Sequence, residues 1–254
     1  MREKILVANW KMYKTIDEGI ELAECLKEKI NGKPKIIICP PFTALNNINE
    51  VLSNSELELG AQNFFYEKQG AFTGEISPIM LKDAGAKYVI IGHSERRNIF
   101  GEASELINKK LISAIENEIG PIFCVGEKIE DRQTGQTESV IKRQILEGLK
   151  NVSRENVEKI IIAYEPVWAI GTGLNAKPEQ ASEAHKFIRE TLNEMYDDML
   201  GENITILYGG SIKEDNIEGL GKMKEIDGGL VGGASLKCDS FVTIWKKLKS
   251  AKNI

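Results

Sequence analysis

The strongest chemical signal in the sequence is the stretch AYEPVWAIGTGLNA at positions 163–176. Glu165 directly follows an apolar, β-rich run at 160–164, which predicts a buried strand. Pro166 ends that strand because it lacks a backbone N–H. The next residues, 167–170, are apolar, although loops that face water are usually polar. This pattern predicts a carboxylate at a strand end beneath a covering loop, which suits proton transfer away from water. The alternative is a solvated turn residue beside a loop that packs on the core.

Glycine-rich turns supply a second kind of chemistry, the binding of a phosphate group. Gly171 lies in the loop behind Glu165, Ser211 stands in YGGSI, and Gly232 and Gly233 stand in LVGGASL. Backbone N–H groups that no side chain shields, at the start of a helix, favour an anion. We therefore predict a phosphate site built from these turns. The alternative is that the glycines only form tight connections.

Further polar residues each follow an apolar run that predicts a strand. Asn9 and Lys11 stand in ANWKM, His93 and Glu95 in GHSERR, and Glu127 in CVGE. Taken singly, Lys11 could be a surface lysine with a buried stem, His93 a structural histidine and Glu95 part of a solvated ion pair. Glu127 is better explained as a supporting carboxylate than as a base. The significance of all five depends on whether the strand ends meet in space.

The elements that would position these residues alternate between strand and helix along the whole chain. The predicted strands are 5–8, 35–39, 57–61, 88–91, 121–125, 160–164, 204–208 and 229–231. Helical patterns fall between them, with start signals at Thr15 and Ser77 and a last helix over about 239–250. Strict alternation predicts parallel strands, and eight units predict an α/β fold, a closed (β/α)8 barrel whose strand ends share one face. A doubly wound open sheet is the alternative, although no GxGxxG fingerprint follows the first strand.

The composition describes an acidic globular chain. Its 254 residues suit a single barrel domain over 1–254, and no linker divides the sequence. The net charge is −5, from 33 basic and 38 acidic side chains. Because no basic field is present to hold nucleic acid or an acidic membrane, we expect neither as a partner. A small anionic ligand would depend on local N–H groups and on Lys11.

The four cysteines, Cys25, Cys39, Cys124 and Cys238, are far apart and form no C-x-x-C pair. Since the chain has only two histidines as well, a zinc site is not expected. Cys39 and Cys124 end apolar runs and are predicted to be small buried residues. The N-terminus lacks the apolar core of a signal peptide, and no apolar run reaches the length of a membrane span. We therefore expect a cytoplasmic protein whose four cysteines are free thiols.

Seven motifs, taken in order, resemble the triosephosphate isomerase family over essentially the whole chain. They are ANWKM, AQN with GAFTGEIS, GHSERR, CVGE, AYEPVWAIGTG, YGGSI and LVGGASL. The resemblance implies a TIM barrel that interconverts dihydroxyacetone phosphate and D-glyceraldehyde 3-phosphate through an enediolate. Such an enzyme is an intramolecular oxidoreductase of glycolysis and gluconeogenesis. The resemblance also implies that it needs no cofactor and no metal.

The resemblance assigns a role to each matching position. Glu165 would be the base that moves the proton between two carbons, and His93 would be the electrophile that polarises the carbonyl. Lys11 and Asn9 would hold the substrate and stabilise the enediolate. Glu95 would orient neighbouring groups without touching the substrate.

The resemblance also implies a phosphate site and a second subunit. The phosphate would be bound by the backbone N–H groups of Gly171, Ser211, Gly232 and Gly233. Family members are normally homodimers in which the loop after strand three docks near the partner's active site. In this sequence that loop is 63–77, with Thr73 near its tip. A loop of this length is uncommon unless it is functional.

Two rival functions and a departure from the family remain. Leu174 and Asn175 stand where many members carry Lys-Thr, which puts the hinge kinetics of the loop in question. A Schiff-base aldolase would need a lysine at a mid-barrel strand end, where Glu165 stands instead. A catalytically inactive phosphate-binding barrel would act as a binding protein. The presence of all three candidate catalytic side chains argues against that reading.

Overall fold

Eight parallel strands pair in chain order, and the last also pairs with the first, so the sheet closes into a barrel. The computed structural model describes residues 2–170, 176–197 and 199–251. The strands are β1 (Ile5–Asn9), β2 (Lys35–Cys39), β3 (Glu58–Ala61), β4 (Tyr88–Ile91), β5 (Gly120–Val125), β6 (Ile161–Tyr164), β7 (Ile206–Tyr208) and β8 (Gly228–Val231). Every predicted strand is present, with ends that agree within two residues. The predicted (β/α)8 barrel is confirmed, and the open-sheet alternative is wrong.

Twelve α-helices lie between and after the strands in the described part of the chain. They are α1 (Ile16–Lys29), α2 (Leu45–Leu52), α3 (Pro78–Asp83), α4 (Ser94–Asn98), α5 (Ser104–Glu116), α6 (Ile129–Gln133), α7 (Thr137–Gly148), α8 (Arg154–Val157), α9 (Pro178–Met195), α10 (Leu200–Asn203), α11 (Ile217–Lys222) and α12 (Cys238–Ser250). The sequence patterns did not predict α4, α6, α8 and α10. Each of these is only one turn or slightly longer, which is too short for a helical period to emerge.

The two helix-start signals form the caps that the sequence predicts. The Thr15 hydroxyl accepts a hydrogen bond from the Glu18 N–H, and the Glu18 carboxylate accepts one from the Thr15 N–H. Ser77 caps α3 by accepting from the Met80 N–H at 3.2 Å, with Pro78 at the first helical position. These local bonds satisfy N–H groups that the helix leaves free, so both helices begin where the sequence specifies.

Apolar residues form two layers on the two faces of the barrel wall. Alternate strand residues point inward and fill the barrel, among them Val7, Ile37, Ile90 and Ile122. Their neighbours point outward and pack beneath the helices, as Leu6 does. This alternation follows from the two-residue period of a strand. The filled interior leaves the two ends of the barrel as places for a site.

The prediction of four free thiols is wrong for two of them. Cys25 in α1 and Cys238 in α12 form a disulfide across 213 residues of sequence. Closure of the barrel places the first and last helices side by side, and no local pattern reveals that proximity. Cys39 and Cys124 are free and fully buried, as predicted, and burial raises the pKa of both thiols.

Among the described residues, no helix combines the length and the apolar character needed to cross a membrane.

Candidate active site

One cavity at the carboxyl end of the strands collects most of the residues singled out in the sequence. It has a volume of about 440 Å³. Its lining includes the predicted residues Asn9, Lys11, His93, Glu165, Ser211, Gly232 and Gly233. Glu95 lies beside the cavity and contacts Lys11. Gly171 falls outside the described residues. The site is assembled from strand ends because parallel strands in a closed barrel all point the same way.

Glu165 is buried in the wall of the cavity, where two neighbours contact its carboxylate. Its Oε2 accepts a hydrogen bond of 2.8 Å from the Ser94 N–H, and its Oε1 lies 3.0 Å from His93 Nε2. The side chain also borders a second cavity, of about 220 Å³, on its other side. The Glu165 side chain thus lies between the two cavities. Sequence reasoning missed the role of Ser94, because a backbone N–H leaves no signal in side-chain type.

One ring nitrogen of His93 accepts a hydrogen bond from the backbone of Glu95, which fixes the tautomer of the ring. His93 stands at the start of α4, and its Nδ1 accepts from the Glu95 N–H at 3.2 Å. A nitrogen that accepts carries no proton, so the neutral ring holds its hydrogen on Nε2. His93 therefore presents Nε2 on the side of Glu165.

Lys11 is fixed by an unusual backbone and by an ion pair. Its φ is 52°, and its N–H donates to Asn9 Oδ1 at 3.0 Å. Its Nζ lies 2.5 Å from Glu95 Oε1, and Gln62 donates to its backbone carbonyl at 2.8 Å. A left-handed conformation in a residue with a side chain is costly and persists only when neighbours hold it. The structure thus directs this ammonium group at the cavity rather than at open water.

The two glycine-rich turns, which follow the paired strands β7 and β8, lie side by side in the cavity wall. Gly232 precedes a 3₁₀ helix, Gly233–Leu236, and its carbonyl accepts from the Ser235 N–H and hydroxyl at 2.8 and 2.7 Å. In this conformation the Ser211 N–H is occupied, since it donates to the Ala169 carbonyl at 3.2 Å. An anion that bound Ser211 would have to displace that loop contact.

Glu127 anchors the loop that follows Glu165, which the sequence indicated only as a supporting role. This carboxylate is fully buried and accepts from the Tyr164 hydroxyl at 3.0 Å and from the Trp168 indole N–H at 2.9 Å. The Val167 N–H donates to its backbone carbonyl at 3.0 Å. Burial and the nearby carboxylate raise the pKa of Tyr164 well above its usual value, so its hydroxyl remains a donor. The described part of the loop, a 3₁₀ helix at Val167–Ala169, is therefore latched to the barrel.

Comparisons with known proteins point to one family. The family model described as triosephosphate isomerase matches residues 4–248. A triosephosphate isomerase of Dictyoglomus thermophilum is 55% identical over 98% of this chain and 100% of its own length. That of Dictyoglomus turgidum is 56% identical, over 95% of this chain and 98% of its own. That of Caldanaerobacter subterraneus is 49% identical, over 96% and 99%.

Proposed function

Because this chain belongs to the triosephosphate isomerase family and interconverts dihydroxyacetone phosphate and D-glyceraldehyde 3-phosphate, we propose that Glu165, His93 and Lys11 carry out the proton transfer. The family model and the relatives span nearly the whole chain. The alternative of an inactive phosphate-binding barrel is not favoured, since the relatives carry the name of the enzyme. We infer one domain over 1–254, and a cytoplasmic location, where charged triose phosphates are retained.

Glu165 acts as the base. The hydrogen on a carbon beside a carbonyl is weakly acidic, so its removal needs a carboxylate in close reach. Glu165 is buried in the cavity wall, where water does not compete for its charge. Its hydrogen bond from the Ser94 N–H holds the carboxylate in the cavity wall, and substrate binding would turn it toward the reacting carbon. It then takes the proton from one carbon and returns it to the neighbouring carbon.

His93 and Lys11 stabilise the negative charge that appears on the substrate oxygens. The Nε2–H of His93 donates to the carbonyl oxygen as it becomes an enediolate oxygen. The ammonium of Lys11 supplies a positive charge, and Asn9 also lines the same cavity. Glu95 pairs with Lys11 and supplies the N–H that fixes the His93 tautomer. It acts on the substrate only through these two neighbours.

The backbone N–H groups of Gly171, Ser211, Gly232 and Gly233 bind the phosphate. A chain with a net charge of −5 needs such local donors to attract a dianion. Closure of the loop after Glu165 would free the Ser211 N–H from the Ala169 carbonyl. The apolar residues of the closed loop would then exclude water and retain the enediolate, which can otherwise lose its phosphate.

A homodimer that forms through the loop 63–77 is the state that supports the site. The tip of this loop is exposed at Phe72 and Thr73. Other large apolar side chains are exposed at the carboxyl end of the barrel, namely Met12, Tyr13, Ile99 and Phe100. A second copy of the chain would cover such a surface.

The observation that carries the catalytic proposal is the 3.0 Å approach of Glu165 to His93 Nε2 on the cavity that Lys11 also lines. We expect Glu165→Gln to fold normally and to lower kcat by about 10²–10⁴-fold, because an amide cannot accept the proton. The measurement is the conversion of glyceraldehyde 3-phosphate to dihydroxyacetone phosphate. Glu116→Gln, an exposed residue at the end of α5, is the matched control and should leave the rate unchanged.

Full activity in Glu165→Gln would show that another group is the base. Borohydride added with the substrate should leave the protein unmodified. A covalent adduct on a lysine would instead favour the Schiff-base aldolase.

A further inference from the structure

The disulfide Cys25–Cys238 joins the two helices that follow β1 and β8, the strands whose pairing closes the barrel. In this pairing Ile5 lies opposite Gly228. Cys25 lies in α1, which follows β1, and Cys238 is the first residue of α12, which follows β8. The bond therefore ties the first and last units of the fold together.

One end of this link is next to the active site, and the other lies in the second half of α1, the helix that follows the active-site residues of β1. We call residues 232–236, which include Gly232 and the 3₁₀ helix Gly233–Leu236, the phosphate turn. Only Lys237 separates this turn from Cys238, the first residue of α12. Before α1, the chain comes from Asn9 and Lys11. The two sides also meet inside the cavity, since a Cβ placed on Gly232 would lie 3.2 Å from Lys11 Cε. A constraint on the distance between α1 and α12 is thus a constraint on the distance between Lys11 and the phosphate turn.

The disulfide is reachable by a reductant, whereas the other two thiols are not. Cys25 and Cys238 are both partly exposed. Cys39 and Cys124 have no exposed surface and lie in the barrel interior. Thiol exchange requires access to a sulfur atom, so mild reduction acts at one place in this molecule.

The strand pairing of β1 with β8 and the buried face of α12 hold this part of the barrel without the disulfide, but near the disulfide itself the two helices are joined by an exposed ion pair. Lys29 of α1 and Asp239 of α12 form an ion pair at 2.8 Å, with both side chains largely in water. Exposed pairs of this kind contribute little to stability. Loss of the disulfide would therefore leave the start of α12 less firmly placed.

We propose that the Cys25–Cys238 disulfide is a reversible redox clamp that sets the position of the phosphate turn against Lys11. A dithiol reductant opens it by two exchange steps: a thiolate attacks one sulfur to give a mixed disulfide, and the second thiol releases it. The protein gains two electrons and two protons, and the reductant becomes a disulfide. A disulfide oxidant such as oxidised glutathione reverses the reaction. The part of the proposal that concerns substrate affinity rests on the phosphate site proposed above.

The test compares the wild-type protein in three states: oxidised, reduced with dithiothreitol, and reoxidised. Alkylation after unfolding, read by mass, should show two reactive thiols in the oxidised state and four in the reduced state. We expect reduction to lower Tm by about 5–15 °C, because the bond closes a very long loop. We expect KM for the triose phosphate to rise by about three- to tenfold with a smaller change in kcat, because the phosphate turn is less preorganised. Reoxidation should restore both values.

Two variants separate the clamp from general effects of the reductant. Cys25→Ser with Cys238→Ser should reproduce the reduced state and show no further response to dithiothreitol. Lys29→Ala, which removes only the ion pair between the same helices, should change Tm and KM little. Four reactive thiols after treatment with the oxidant would overturn the proposal, as would equal KM values in the oxidised and reduced protein. Absence of isomerase activity in every state would instead count against the proposed catalytic site.

Discussion

At the scale of single residues, the site depends on glycines that leave room for Glu165. A Cβ on Gly126 would lie 1.7 Å from the Glu165 backbone oxygen, so no larger residue fits there. A Cβ on Gly209 would lie 2.8 Å from Glu165 Cγ and 3.1 Å from the Tyr164 oxygen. Gly209 thus borders the side chain of the proposed base. Because glycine has no side chain, Gly209 would affect the reaction only through the position of Glu165.

We predict that Gly209→Ala lowers kcat by about 10²-fold with a modest loss of stability. The added methyl group displaces the Glu165 side chain, and a displacement of about 1 Å in a reacting group can lower the rate by about 10²-fold. Steady-state kinetics measures the effect, with thermal unfolding to show that the variant folds. Gly219→Ala is the control, since its Cβ would meet only Pro178, at 3.4 Å. A Gly209→Ala enzyme with wild-type kcat would contradict the assigned position of the base.

At the scale of elements, the loop 63–77 combines internal order with an exposed apolar tip. Its Phe65 N–H donates to the Ile76 carbonyl at 2.8 Å, and the rings of Phe65 and Phe72 are 4.6 Å apart. Beneath the loop, the buried Lys110 donates to Asn63 Oδ1 at 2.7 Å. An ordered loop loses little further entropy when it docks, which favours its use as an interface. The loop is thus suited to the proposed homodimer.

We predict that Phe72→Asp weakens the dimer by at least about 100-fold, because it places an unpaired charge in the covered surface. Sedimentation at micromolar concentration should show dimers for the wild-type protein and monomers for the variant. Leu146→Asp introduces the same charge at an exposed apolar residue of α7 and should remain dimeric. A wild-type protein that is monomeric under these conditions would refute the homodimer.

At the scale of the whole molecule, a buried polar cluster joins the later units of the barrel. Arg189 of α9 donates to Asp227 Oδ2 at 2.7 Å and to the Ile204 carbonyl at 2.7 Å. Its neighbour His185 is fully buried, with Nδ1 3.1 Å from the Glu225 carbonyl. Burial lowers the pKa of His185 from 6.5 to about 3, so the ring is neutral in the folded protein. The unfolded chain therefore binds a proton that the folded chain does not, at pH values between these two.

Because the unfolded state binds more protons in this window, stability falls as the pH drops below about 6.5. The contribution of His185 amounts to about 2 kcal/mol between pH 7.5 and pH 5. We predict that His185→Asn, whose amide can still donate to the Glu225 carbonyl, loses about this much less stability over the same range. Urea unfolding of both proteins at the two pH values measures the difference, and shared effects of carboxylates cancel. Equal losses in the two proteins would show that His185 does not titrate in this way.

The sequence by itself determined the main elements and predicted which side chains would react, because both depend on local patterns. Apolar runs ended by proline or glycine gave the strands, and the caps at Thr15 and Ser77 gave two helix starts. Eight alternating units predict a closed barrel, in which the strand ends that carry Glu165 and His93 share one face.

Only the tertiary structure decided which atoms meet, because those contacts join distant parts of the chain. The Ser94 N–H that holds Glu165 is 71 residues away from it in sequence. The disulfide joins positions separated by 213 residues, and sequence alone suggested free thiols for both. A backbone N–H and a pair of partly exposed cysteines carry no periodicity, so their roles follow from barrel closure and not from the pattern of residues.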